Sequence, residues 1–134
     1  MAAEGTLGPY DYAVLRLLPR VERQELCNVG VIVFARPREF LDCALLPADE
    51  LARRALALGP ALDLAAVQRH LEAVRAVCRG EPTAGPIAAL PRPERFHWLT
   101  APRSTILQPS PVHSGQCADP AYTLQRLCGQ LLAQ

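Results

Sequence analysis

The sequence predicts an α+β domain: an antiparallel sheet of three to five strands, opened by an N-terminal meander, with two to three helices packed on one face. Strand-like runs come first and helical periodicity comes later. The two do not alternate, which separates this pattern from a wound α/β fold. At 134 residues the chain is long enough for one core and too short for two, so a single domain over 1–134 is expected.

Residues 1–8 read as a flexible start. Tyr10 to Leu18 is rich in aromatic and aliphatic residues and is stopped by Pro19, the pattern of a strand. Leu26 to Phe34 (LCNVGVIVF) suits a pleat buried on both faces and belongs at the centre of a sheet. The polar connection Pro19 to Glu25 has the length of an antiparallel link rather than a crossover. Phe40 to Leu46 completes the meander.

At Pro47 the period changes. Leu51, Ala55 and Leu58 share a helical face, and Gly59-Pro60 supplies a stop. A longer helix follows, with Asp63 as N-cap, Leu64, Val67, Leu71, Val74 and Cys78 on one stripe, and Gly80 at its end. Asp119-Pro120 opens another, burying Leu124, Leu127, Cys128 and Leu131. The intervening segment 80–118 is proline-dense, so helices there should be short or absent, with loops and one strand at Ser104 to Gln108. It nevertheless holds the only Trp, two of the three His and a set of Arg, Ser and Thr, and long loops in compact domains tend to carry function.

Composition narrows the chemistry. All 14 basic residues are arginine, which removes Schiff-base lysine, general-base lysine and the P-loop lysine. No run approaches the ~18 apolar residues of a membrane span, and the first residues lack a basic start and an apolar signal core. Five cysteines without a CxxC pair, set mostly in apolar runs, read as reduced core residues and place the protein in a cytoplasm. Net charge is only +1, but residues 1–50 carry 5 Arg against 8 acids and residues 51–134 carry 9 Arg against 5 acids, which hints at two unlike faces.

The run YDYAVLRLLPRVERQELCNVGVIVF, followed far downstream by ERFHWLTAPRSTILQPSPVHSG, resembles a bacterial family known only as domain of unknown function three thousand and thirty-seven. The resemblance covers nearly the whole chain and is most specific over Arg20 to Val33 and Phe96 to His113. It implies a family and no activity. It also implies a kinase-like partner encoded nearby, and hence a partner-dependent role.

Several chemistries compete. Arg95, His97, Arg103, Ser104 and Thr105, joined by Arg20, Arg23 and His113, form a candidate phosphate or nucleotide site, because guanidinium forks, hydroxyls and imidazoles suit an oxyanion. The plainer reading is that these groups satisfy carbonyls of a proline-rich loop, and it is favoured. A two-histidine phosphoesterase fails on spacing. His97-Trp98-Leu99-Thr100 has one residue too many between His and hydroxyl, and His113-Ser114 one too few. His113, Cys117 and Cys128 lack the paired spacing of a zinc site, so no metal and no cofactor is expected. Cys27 and Cys43 sit in strands too apolar for a nucleophile. Arg92, Arg95, Phe96, His97, Trp98 and Arg103 interleave cations with aromatic rings, yet a near-neutral chain argues against nucleic acid. Phe96 and Trp98 read as core lids.

The leading expectation is therefore a non-catalytic interaction domain. It would act on a partner protein through Arg20 to Asn28, with Arg23 and Asn28 as contacts, and through Arg95 to His113, with Trp98 among them. The rival is a small phosphate-binding domain or enzyme using Arg95, His97, Arg103 and His113. That rival requires the four to converge in one cleft.

Overall fold

The computed structural model describes residues 6–18, 27–58, 62–103 and 106–133. Three strands make the meander: β1 (Gly8–Leu17), β2 (Cys27–Ala35) and β3 (Phe40–Leu45). All pair antiparallel, with Val14 opposite Val31 and Ile32 opposite Cys43. Gly8 already belongs to β1, so the strand starts two residues earlier than the aromatic run indicates.

β1 is the central strand. β2 lies on one side of it, while two short strands share the other: β5 (His113–Cys117) along Gly8 to Tyr12, and β4 (Leu107–Pro109) along Leu15 to Leu17. Ser110 bridges the gap between them. Its N–H donates to Val14 O at 2.7 Å, and its Oγ accepts from Val14 N at 2.9 Å, so β1 loses no main-chain bond where the outer strand breaks.

β2 is buried along nearly its whole length, as its sequence predicts. Its two faces are kept distinct by a bulge. Leu15 pairs with Gly30 but Arg16 pairs with Asn28, leaving Val29 as the extra residue. Cys27 and Val29 therefore stay on the side of Ile32 and Phe34, while Val31, Val33 and Ala35 face the opposite way. Gly30 is needed at this step because a Cβ there would stand 2.8 Å from Leu45 Cδ2 and 3.1 Å from Leu15 Cδ1.

The first face carries the larger core. Helices α1 (Ala48–Leu58) and α2 (Leu64–Arg79) pack there, α2 through Val67, Leu71, Val74, Val77 and Cys78. Burying each such side chain stabilises the fold by roughly 1.5–3 kcal/mol. Asp63 caps α2, accepting from Ala66 N at 3.1 Å, and Gly80 closes it in the left-handed conformation at φ 67°. At the start of α1, Glu50 accepts from Arg53 and Arg54, and these bonds hold its carboxyl below the ordinary value. The Gly59-Pro60 stop lies outside the described residues.

The proline-rich segment 80–118 is more regular than its composition implies. It contains two 3-10 turns (Pro82–Ala84 and Pro86–Ala89), then a third helix, α3 (Arg92–Leu99), then β4 and β5. The physical reason is position: Pro91 and Pro93 sit at the entrance to α3, where a missing N–H costs no intrahelical bond. α3 joins the first face through Phe96, stacked on Phe34 at 5.1 Å between ring centroids, and through Leu99. The strand expected at Ser104 to Gln108 appears as Leu107–Pro109, and β5 was not anticipated.

Helices α1, α2 and α3 thus occupy one face. The C-terminal helix α4 (Pro120–Leu131), capped by Asp119 through Ala121 N at 3.0 Å, covers the second. Leu124, Leu127 and Leu132 pack there on Val31, Val33 and Ala35. No helix among the described residues is long and apolar enough to cross a membrane.

Candidate functional site

Arg95 lies on the inner side of α3 and is buried, at 8% exposure. Its Nη1 donates to Val77 O (2.8 Å) and Cys78 O (2.9 Å), and its Nε to Leu90 O (2.8 Å). The guanidinium therefore caps the open carbonyls at the end of α2, where the helix dipole also favours a cation. His97 and Trp98 are on the outer side of the same helix. Trp98 is 39% exposed, so Phe96 is a core lid and Trp98 is not. Arg103 reaches back over the Trp98 ring, 4.4 Å from its centroid, and donates to Trp98 O at 2.7 Å. It serves as a tail-cap for α3.

His113 is elsewhere. It stands opposite Tyr12 in the β1–β5 register, its ring 5.2 Å from that of Tyr12. Tyr12 packs against the second core cluster, whereas α3 packs on the first. His97 and His113 are therefore on opposite sides of the sheet, and Arg95, His97, Arg103 and His113 do not converge in one cleft. Asn28 is a structural tie. Its Nδ2 donates to Leu131 O at 3.0 Å at the end of α4, and its carbonyl accepts from Arg54 Nη1 at 3.4 Å. Arg20, Arg23, Ser104 and Thr105 lie outside the described residues. Among the described residues no group of His, Cys, Asp and Glu is placed to hold a metal ion.

What the strands do assemble is a polar strip on the second face. Alternation puts Tyr10, Tyr12, Val14 and Arg16 of β1 on this side, next to Val33, Val31 and Asn28 of β2. Gln108 faces Arg16 from β4, and His113 faces Tyr12 from β5. α4 contacts chiefly β2 and β3, so this half of the face is less covered: His113 is exposed, and Tyr12, Arg16 and Gln108 are half-buried.

Arg16 is the residue of this strip with unmet bonding capacity. Its Nε is buried with no hydrogen-bond partner, and its Nη2 makes one long bond, 3.4 Å, to Pro109 O. No position of β1, β2, β4 or β5 on this strip is acidic; Asp42 of β3 shares the face beyond Val33, where Arg79 pairs with it, and α4 carries Arg126 and no carboxylate. The strip is thus a cationic, aromatic and amide-bearing surface beside a helix, suited to receive carboxylate oxygens. Arg16 is inconspicuous in the sequence because it sits inside an apolar strand. The signal was the period-two series Tyr10, Tyr12, Val14, Arg16, in which a charge ends a face that is otherwise apolar and aromatic.

The family model described as "Protein of unknown function (DUF3037)" matches residues 12–132. The chain belongs to this family. The match takes in every strand and helix of the DUF3037 fold described above, apart from the first four residues of β1, and all of the Arg16 strip except Tyr10. No curated protein and no solved structure shows a significant match.

Proposed function

We propose that this DUF3037 protein is a binding domain that recognises an acidic, extended segment of a partner protein, laid along the second face of the sheet between α4 and the broken β4–β5 strand. The observation that carries this reading is Arg16: a cation on the central strand, with its Nε unpartnered, flanked by Asn28 and Gln108, on a strip with no carboxylate. A buried donor left unmade costs ~1–3 kcal/mol, so a ligand oxygen that satisfies it gains more than one meeting a solvated arginine. Tyr12 and His113, their rings tilted by 31°, offer an aromatic pair against which the segment's apolar side chains can rest. A kinase-like protein, as the family resemblance implies, is the first partner to test. Five cysteines, all free, agree with a reducing cytoplasm as the setting.

The test uses a fluorescent peptide of alternating Glu and Leu, with its Gln-for-Glu counterpart as control, read by anisotropy against the whole protein. Binding is expected for the acidic peptide alone, weakening as salt rises. Arg16→Gln, checked for native circular dichroism, should lower affinity at least ~10-fold. Undiminished binding by Arg16→Gln, or equal binding of the Gln peptide, would remove this reading.

A further inference from the structure

Besides Arg16 Nε, one other side-chain atom among the described residues is buried without a partner: Arg75 Nε. It belongs to a different part of the molecule. Arg75 lines a cleft of about 360 Å³ between the end of β3, the first turn of α1 and the middle of α2. The cleft has apolar walls from Leu45, Leu46, Leu51 and Leu71, and a polar rim of Gln68, Glu72 and Arg75. Its volume is in the lower part of the range of small-ligand pockets.

We infer that this cleft binds a small monocarboxylate with an apolar body, of the size of a medium-chain fatty acid, its hydrocarbon against the leucines and its carboxylate on Arg75. The polar rim selects the head group. Arg75 Nη1 donates to Glu72 Oε1 at 3.2 Å, and its Nε is buried without a partner. A ligand carboxylate at this rim shares the guanidinium with Glu72. Arg75 is paired with Glu72, and its remaining guanidinium donors can take one carboxylate. A dianion such as a phosphate monoester would meet Glu72 on the same rim, and a cationic head would meet Arg75. The leucine walls give no partner to a wholly polar ligand, so an apolar body is required. This site is separate from the Arg16 strip, and neither inference depends on the other.

The probe is octanoate, with octylamine, octanol and inorganic phosphate as comparisons, measured by thermal shift on the whole protein and by methyl chemical shifts. Octanoate should raise Tm saturably, by about 4 °C or more at concentrations well above Kd, and move the methyl signals of Leu45 and Leu71. The other three should not match it. Arg75→Gln should abolish the rise. Should that variant fail to fold, Gln68→Trp, which places a bulky ring at the rim, provides the same test without removing the arginine. No rise with octanoate overturns the proposal, as does an equal rise with octanol or octylamine, or a rise that survives Gln68→Trp. An Nε satisfied by water alone belongs to the first of these outcomes.

Discussion

Arg95 and Gly80 occupy one space at the end of α2: a Cβ on Gly80 would stand 3.2 Å from Arg95 Nη1, the nitrogen that caps Val77 and Cys78. The left-handed turn that ends the helix and the cation that satisfies its carbonyls are thus parts of one device.

Removing the cation should be costly. Arg95→Ala leaves three main-chain carbonyls without this donor and should destabilise by about 2–4 kcal/mol in urea unfolding. Gly80→Ala should cost about 1 kcal/mol from its positive φ, plus the contact with Arg95. Because the contact disappears in Arg95→Ala, the double variant should be less destabilised than the two losses summed, by at least ~0.5 kcal/mol. Strict additivity would show that the two residues act separately.

The helix capped by this device was readable from its stripe, its Asp63 and its Gly80, since all three signals are local. The cap itself was not. Arg95 sits in a proline-rich run whose fold depends on where each proline falls within a turn, and its carbonyl partners are contributed by α2. The same holds for the site. Tyr12 and Arg16 announce one face of a strand, but that Gln108 and His113 stand beside them depends on a pairing across roughly a hundred positions, which no periodicity reveals. Arg95, His97, Arg103 and His113 are close in sequence, but a helix followed by two strands sends them to different faces.

Ser110→Ala should destabilise by ~1–3 kcal/mol, because Val14 N–H, buried in the central strand, loses its acceptor. Hydrogen exchange gives a sharper test: the Val14 amide should lose protection more than its neighbours. A uniform change along β1 would mean that the hydroxyl is not the acceptor in solution.

Thiol reactivity should divide four to one. Cys27, Cys43, Cys78 and Cys117 are buried and Cys128 is half-buried. Hydrogen bonding to Cys43 and burial push the Cys78 thiol up, so it stays protonated and inert at neutral pH. A thiol reagent should modify Cys128 first in the native protein and all five groups in denaturant, with Cys128→Ser losing the early phase. Early modification of Cys43 or Cys78 would contradict this packing.

Glu50 should set part of the acid limit. Its carboxyl is lowered by the hydrogen bond from Arg53 first and that from Arg54 second. A depressed carboxyl contributes stability that is fully present above its unfolded value near 4.5 and is lost as pH falls through the lower folded value. Glu50→Gln should therefore destabilise at neutral pH and less in acid. An equal loss at both would show that the ion pairs contribute nothing.

The outer neighbour of β1 is broken into two short strands made late in the chain, and Val14 waits for a partner 96 positions downstream. During synthesis the β1–β3 meander can close as soon as Leu45 has emerged, but the far edge of β1 has no complement until β4 and β5 arrive. At ~5–20 residues per second, that edge stays open for several seconds. An apolar strand with free main-chain donors and acceptors is a template for any other strand it meets. The nascent chain is thus most exposed to misassociation after its meander has formed, and changes that weaken β4 or Ser110 should lower the yield of folded protein more than its final stability indicates.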